Sequence, residues 1–347
     1  MKAQMHGELT LSRRTFLGAS AGAAATVALG RWAPSARASE RLVPPGKLGI
    51  QLFTVRDQIP RLHNSVTDTN PANPFYGQPL PGGFRGVFEA LASFGYKTVE
   101  FAGYTQGANG PITTQEIRAL LDEFGLTAVG THLSLNALRT NLAFEIERCQ
   151  ILGMGYIGTA NRPTDDTNAP AAIGGVHSVA GYKAAAAEFN AWGETCAMAG
   201  LKLYQHNHTD EFRFATDQPS VRVYDVWIGE TDPRFVHLEM DIYWAYAAKN
   251  LFPGFEPLDY VQAQPHRYAL WHVKDGAAAA PPDPDGLVFV DVGDGIIDFR
   301  SFFDEQGNKG YHQYIVERDS APGGSTNPGQ SYRTAQRSAA YLLGLRA

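Results

Sequence analysis

The sequence predicts a single-domain (β/α)8 barrel, the TIM-barrel arrangement in which helices surround eight parallel strands. Short apolar segments of strand length alternate along the chain with longer helical segments, and eight such strands can be counted. Barrels of this kind commonly form single domains of ~250 residues or more. The chain has 347 residues, so one barrel over residues 39–347 accounts for everything that follows an N-terminal leader.

The strands and helices are placed by apolar pattern and length. We predict strands at 48–54, 97–101, 127–131, 155–159, 201–206, 235–241, 269–274 and 313–317. We predict helices at 83–94, 113–124, 138–152 and 179–199, the second with a Thr-x-x-Glu type N-terminal cap. Polar segments rich in proline or glycine at 59–81 and 277–295 interrupt the alternation, and we expect long loops above the barrel there.

Residues 1–38 have the features of a twin-arginine export signal. The pair Arg13-Arg14 precedes an apolar run from Gly18 to Gly30, and Ala36-Arg37-Ala38 resembles a signal peptidase site. The run is too short and too rich in glycine and alanine for a comfortable membrane span. We therefore expect a periplasmic or secreted protein without a stable membrane anchor.

Composition excludes several classes of function. The formal net charge is −6 and the pI about 5.9, which argues against nucleic acid as a partner. Two cysteines, Cys149 and Cys196, cannot build a disulfide framework, and we expect both to be buried. The chain also lacks a nucleophile elbow, a phosphate-binding loop and a dinucleotide fingerprint.

Four predicted strand ends carry side chains that bind metals well. His206, Asp241, His272 and Glu317 end the fifth to eighth strands, where a barrel places its active site. In the sixth strand, Val236, Leu238, Met240 and Ile242 share one face, so Asp241 points into the barrel. The same alternation points His272 and Glu317 inward. We therefore predict that these four side chains meet at one metal ion.

Two imidazoles and two carboxylates form a mixed nitrogen and oxygen site. Such a set suits Mn²⁺, Zn²⁺, Fe²⁺ or Co²⁺, and argues against a calcium cage or a thiolate-bound structural zinc.

Eight short segments, in order along the chain, resemble the sugar phosphate isomerase/epimerase group of xylose isomerase-like TIM barrels. They are Gln51-Leu-Phe-Thr-Val-Arg56, Val99-Glu-Phe-Ala-Gly103, Gly130-Thr-His-Leu133, His206-Asn-His208, Met240-Asp-Ile-Tyr243, His272-Val-Lys-Asp275, Val292-Gly-Asp-Gly295 and Val316-Glu317. The resemblance implies one divalent cation, most often Mn²⁺, held by Glu, Asp, His and Glu from strands five to eight. Asp241, His272 and Glu317 match this set. The fifth strand departs from it, since His206 stands where many members have glutamate, and Glu211 is the alternative ligand.

The remaining polar residues at the strand ends are candidates for catalysis and substrate binding. We predict Glu317 as the base and Lys274 as a donor to the reacting oxygen, with a salt bridge to Asp275 or Glu239 as the alternative role of this lysine. His208 is a further catalytic candidate, and substrate contacts are predicted at Glu100, His132, Phe53 and Trp244. Glu100 has orientation of His132 as its alternative role.

The sequence therefore predicts a metal-dependent isomerase or epimerase that acts on a sugar or keto-sugar through an enediolate. Because His206 replaces a glutamate that would serve as one of two bases, a single-base lyase or hydratase acting on 3-keto-glycosides or cyclic polyol ketones is the alternative. A non-catalytic sugar-binding subunit is the second alternative, and a homo-oligomer is compatible with the sequence. The absence of an arginine cluster at the strand ends argues against a phosphorylated substrate.

Overall fold

The computed structural model describes residues 40–103, 110–165, 175–278, 286–306 and 310–347. The export signal predicted over residues 1–38 lies outside these ranges, and the predicted localisation depends on it. Within the described ranges, no helix has both the length and the apolar character needed to span a bilayer.

Eight parallel strands form a nearly closed barrel. They are β1 (Leu48–Gln51), β2 (Thr98–Phe101), β3 (Thr127–Thr131), β4 (Tyr156–Thr159), β5 (Lys202–His206), β6 (Val236–Asp241), β7 (Tyr268–Val273) and β10 (Gln313–Val316). Their order around the sheet is β3-β2-β1-β10-β7-β6-β5-β4. A parallel bridge between His132 and Gly158 connects the two end strands, so the sheet curves back on itself. The predicted barrel is confirmed.

Helices follow the strands and cover their outer faces. They are α1 (Gly83–Ser93), α2 (Thr114–Phe124), α3 (Leu135–Leu152), α4 (Val179–Met198), α5 (Val223–Glu230), α6 (Ile242–Leu251), α7 (Pro257–Ala263), α8 (Phe299–Glu305) and α9 (Gln330–Gly344). The predicted cap of α2 is present, with Thr113 and Glu116 each bonding the other's backbone N–H. Helix α3 begins three residues before its predicted start, because the Ser134 side chain accepts from Ala137 N and caps it there.

Two predicted segments differ from the structure. The first strand ends at Gln51 rather than at residue 54, and a 3-10 helix follows over Leu52–Val55. The Gln51 side chain accepts from Phe53 N at 3.4 Å, which favours this turn over continued extension. The predicted loop 277–295 overlaps an antiparallel hairpin of β8 (Asp275–Ala278) and β9 (Leu287–Val290). The segment 59–81 has no helix or strand, as predicted.

The apolar core lies mainly between the sheet and the helices. Val236, Leu238 and Met240 of β6 belong to this outer core, as the strand alternation predicts. A smaller apolar cluster fills the bottom of the barrel interior and consists of Val129, Tyr204, Ala269, Leu270 and Ile315. This cluster is the floor on which the polar groups of the upper barrel rest. Both cysteines are buried and remain outside any disulfide, as predicted.

Candidate metal centre

Four strand ends bring their predicted ligands together inside the top of the barrel. His206 and Asp241 end β5 and β6, His272 lies in β7, and Glu317 directly follows β10; all four are buried. Asp241 Oδ2 lies 3.7 Å from His206 Nε2 and 3.9 Å from His272 Nδ1. Glu317 Oε2 lies 2.8 Å from His272 Nδ1. Asp241, His272 and Glu317 are therefore close enough to share one cation, and His206 adjoins them through Asp241.

Two buried glutamates determine which nitrogen each imidazole turns towards this site. Glu239 Oε2 lies 3.2 Å from His206 Nδ1, and Glu100 Oε2 lies 2.7 Å from His272 Nε2. When these nitrogens donate to the glutamates and His272 Nδ1 has given up its proton, His206 Nε2 and His272 Nδ1 present their lone pairs on the side of Asp241. A carboxylate behind a histidine is the usual arrangement around protein metal ions, because it fixes both the ring and its tautomer.

Asp241 tests whether these residues fit a cation. Its Oδ1 accepts from Trp244 N at 3.0 Å, whereas its buried Oδ2 has no hydrogen-bond partner among the described residues. Lys274 Nζ lies 3.0 Å from Oδ2, within ion-pair distance but without hydrogen-bond geometry. A buried carboxylate oxygen left in this state requires a partner. A divalent ion with two nitrogen and two oxygen ligands meets that requirement, so the residues fit the predicted group.

A second set of potential ligands lies beneath the first and consists of His132, His206, Glu239 and His272. Its members are already paired with one another: Glu239 Oε2 lies 2.8 Å from His132 Nε2 and 3.2 Å from His272 Nε2. A cation at this level would have to replace these hydrogen bonds. We therefore describe His132 and Glu239 of this set, together with Glu100, as the lower polar layer, and we place the candidate metal centre above it.

The lower layer also explains the position of Glu100. This side chain is fully buried and accepts from Gln51 Nε2 at 2.7 Å and from the Tyr204 hydroxyl. It lies 3.5 Å from His132 Nε2 but does not line the cavity above. Its contacts favour the alternative that it positions imidazoles, with His272 as its closer partner, over direct contact with substrate.

The charges around the centre shift several pKa values. Burial disfavours the charged form of His272, but Glu239, Glu317 and Glu100 surround it and raise its pKa well above the ordinary value. The same competition raises the pKa of Lys274, which lies 2.8 Å from Glu317 and 3.1 Å from Asp319. Burial would raise the pKa of Glu317, yet Lys274 and His272 hold it well below its usual range. Glu317 is therefore ionised, and His272 carries a proton that a binding cation must displace.

A cavity of about 370 Å³ opens above the centre. Its wall includes Phe53, His132, His206, His208, Lys274 and Glu317. This volume is typical of small-molecule sites. Burial, together with Lys274, lowers the pKa of His208 to about 3, so this imidazole is neutral. Trp244 lies outside this wall and lines an adjoining cavity, with its ring 5.6 Å from Lys274 Nζ.

The structure also separates His206 from Glu211, its rival as a ligand. Glu211 is buried and accepts from His208 N at 2.9 Å, and it belongs to neither ligand group found in the described ranges. Burial raises the pKa of Glu211 to about 7. Of the two candidates, His206 is therefore the one that lies beside Asp241.

Asp319 is a cavity residue that the sequence prediction missed. It lines the wall and forms an ion pair with Lys274 Nζ at 3.1 Å. The available signal was its position two residues after Glu317, since a short extension of the strand alternation puts both on one face. The salt bridge predicted as the alternative role of Lys274 is present, with Asp241, Glu317 and Asp319 as partners in place of the expected Asp275 or Glu239.

Known structures share this fold. A sugar phosphate isomerase/epimerase from Parabacteroides distasonis superposes with a TM-score of 0.61 at 20% identity, covering 86% of this chain and 94% of that one. A probable 3-DHS dehydratase, AsbF, from Bacillus anthracis gives 0.56 at 15% identity, covering 85% and 98%. The IolI protein, solved with a bound zinc atom, gives 0.55 at 13% identity, covering 86% and 98%. No curated protein sequence matches the chain.

The sequence itself carries the family assignment. Residues 88–341, well over half of the chain, match the model of the xylose isomerase-like TIM barrel. The eight parallel strands and the side chains gathered at their carboxyl ends agree with that match. The chain belongs to the xylose isomerase-like TIM barrel family.

Proposed function

We propose that this protein is a divalent-cation-dependent enzyme that acts on a keto-sugar, and that its reaction begins with removal of the proton beside the carbonyl. One observation carries the proposal. His206 Nε2, Asp241 Oδ2, His272 Nδ1 and Glu317 Oε2 converge at the floor of a small-molecule cavity, and Asp241 Oδ2 has no hydrogen bond within the described part of the chain.

A divalent ion held by His206, Asp241, His272 and Glu317, most often Mn²⁺ in the family resembled, would stabilise the negative charge of the enediolate. Glu317 is the candidate base, because its low pKa keeps it ionised and it faces the cavity. Lys274 Nζ, charged and 2.8 Å from Glu317, is positioned to give a proton to a departing hydroxyl or alkoxide.

The distribution of carboxylates favours chemistry with a single base. Glu317 and Asp319 are the carboxylates among the described residues of the cavity wall, and both contact Lys274 Nζ, so they adjoin one another. Glu100 and Glu239 are buried and do not line this cavity. This placement disfavours epimerisation by two carboxylates on opposite faces of a carbon.

After the proton beside the carbonyl is removed, the electron pair that it leaves can lead to one of two reactions. In isomerisation, Glu317 returns the proton to the former carbonyl carbon, while the proton of the neighbouring hydroxyl group passes to the former carbonyl oxygen. In β-elimination, the pair forms a carbon–carbon double bond, and the group on the β-carbon leaves as water or an alcohol after taking a proton from Lys274. Both reactions use the residues described, and we favour them over epimerisation.

The rival function is binding of sugar without catalysis. It does not require an ionised base beside a charged lysine at the cavity wall, so Glu317 and Lys274 favour an enzyme. Measuring the metal content of the purified protein distinguishes an enzyme from a sugar-binding protein, because a stoichiometric divalent ion supports the enzyme.

The test is solvent deuterium incorporation at the carbon beside the carbonyl, with Mn²⁺ and a panel of 3-keto-glucosides and ketohexoses. We expect exchange with the native protein, loss on chelation, recovery with Mn²⁺, and at least a 100-fold decrease in Glu317→Gln. Glu188→Gln is the matched control, because Glu188 pairs with Arg139 and lines neither cavity. Exchange that survives both chelation and Glu317→Gln would overturn the proposal.

A further inference from the structure

Three buried polar atoms that lack a hydrogen-bond partner within the described part of the chain belong to residues of one cavity beside the candidate metal centre. They are Thr209 Oγ1, Glu211 Oε1 and Trp244 Nε1. Glu211 is 1% exposed, and its other oxygen is held by His208 N at 2.9 Å. Buried polar atoms normally find a partner, and a tryptophan N–H in particular does so. Three exceptions in one place indicate a ligand that supplies the missing bonds.

All three residues line a second cavity, of about 480 Å³. This cavity shares Ala160, Asn161 and His208 with the cavity above the metal centre. The ring of His208 lies 4.9 Å from that of His206 and 5.6 Å from that of Trp244. A molecule with its reacting part at the metal centre therefore reaches the second cavity by extending past His208.

The charges of the second cavity disfavour an anionic occupant. Arg162 is the one cation among the described residues of its wall, and it already pairs with Asp165 and with Asp210 at 2.7 Å. Glu211 adds a third carboxyl group. A phosphate or carboxylate would meet this acidic wall without a free cation to bind. Hydroxyl groups, which both donate and accept, suit an indole N–H, a threonine hydroxyl and a carboxyl group.

We propose that the second cavity binds a second, neutral sugar ring, so that the substrate is a glycoside whose keto-sugar ring lies at the metal centre. Glu211 and Thr209 bind hydroxyl groups of the second ring, and Trp244 adds an N–H donor and an apolar ring face. This inference rests on the proposed function for the reacting ring, and it extends that function by naming the class of substrate.

The test compares two substrates that share the reacting ring, a methyl keto-glucoside and a disaccharide with the same keto-glucosyl unit. We expect kcat/KM for deuterium exchange to be at least about tenfold higher for the disaccharide, since it fills polar groups that otherwise remain unpaired. This ratio should fall about tenfold in Glu211→Gln and in Thr209→Val, and stay at the native value in Glu188→Gln. Gln can still accept from His208 N, and a melting curve for each variant checks its folding.

The outcomes separate the two proposals. Equal kcat/KM for both substrates, or a ratio unchanged in both cavity variants, overturns the second-ring site and leaves the proposed reaction standing. If neither substrate exchanges, the proposed reaction fails, and calorimetry with unoxidised methyl glucoside and disaccharide decides the site. Tighter binding of the disaccharide by about tenfold, lost in Glu211→Gln, supports the site, whereas equal binding overturns it.

Discussion

The lower polar layer and the groups above it contain similar residues, but their carboxylates differ in what they are bonded to. Glu100 and Glu239 each accept from imidazoles at 2.7 to 3.2 Å, and Glu100 is held further by Gln51. Above them, Asp241 and Glu211 each accept from a backbone N–H, and neither forms a hydrogen bond to an imidazole in the described ranges. A buried acid that accepts from imidazoles holds those side chains in place, whereas one held by the backbone keeps an oxygen that a ligand can complete.

The largest effect is expected at Asp241, whose Oδ2 faces the proposed cation position. Asp241→Asn replaces a charged ligand by a neutral amide, so we expect the affinity for Mn²⁺ to fall by at least about 1,000-fold. Titration with Mn²⁺ measures this. Asp259→Asn, at an exposed position of α7, is the control. Native affinity in Asp241→Asn would show that the cation binds elsewhere.

Lys274 links the metal centre to the cavity wall, and its removal is expected to affect catalysis next. Lys274→Met keeps much of the side-chain volume but deletes the proton donor and leaves Glu317 and Asp319 without their shared cation. We expect kcat for exchange or elimination to fall by roughly 1,000-fold. Steady-state kinetics measures it at saturating Mn²⁺, and a variant with native kcat would reduce Lys274 to a structural salt bridge.

The burial of Glu211 predicts that the stability of the folded protein depends on pH. The pKa of Glu211 is about 7 in the folded protein, whereas the ordinary value, which applies in the unfolded chain, is 4.5. Between these two pH values the folded state retains a proton that the unfolded chain releases. Stability is therefore lost as pH rises from 4.5 to 7, by up to about 3 kcal/mol. Glu211→Gln removes this loss.

Urea unfolding at pH 5 and pH 8 measures the effect. The free energy of unfolding of Glu211→Gln, relative to the native protein, should be higher at pH 8 than at pH 5 by up to about 3 kcal/mol. A difference that is the same at both pH values would mean that Glu211 is paired in solution.

The smallest effect is expected in the lower polar layer. Glu239→Gln keeps an oxygen that accepts from His206 Nδ1 but loses the charge, so we expect the affinity for Mn²⁺ to fall about tenfold. The absorption spectrum of the Co²⁺-loaded variant should also shift, because the orientation of His206 changes. An unaltered spectrum with native affinity would show that Glu239 does not position the ligand.

The sequence predicts what depends on local alternation. In β6 the outward faces of Val236 and Leu238 are readable from the chain, and they point Asp241 inward, as the structure has it. The contact between Glu100 and His272 was not predictable in this way. It joins residues 172 positions apart, and it depends on side-chain rotamers in addition to the face of the strand.

Local competition explains the other differences. The segment after Gln51 is apolar enough for a strand, but a side-chain hydrogen bond to Phe53 N ends the strand early. The hairpin of β8 and β9 was predicted as a loop because its first strand, Asp275–Ala278, consists of small and polar residues with little strand preference. Asp275 stabilises the hairpin, because its carboxylate accepts from Gly293 N and Gly295 N in the segment that follows the second strand.

The central claim is that a cation binds above the lower polar layer. Anomalous diffraction from crystals grown with Mn²⁺ tests this claim most directly. We predict one peak at about 2 Å from His206 Nε2, Asp241 Oδ2, His272 Nδ1 and Glu317 Oε2. A peak between His132 and Glu239, or no peak at saturating Mn²⁺, would contradict the claim.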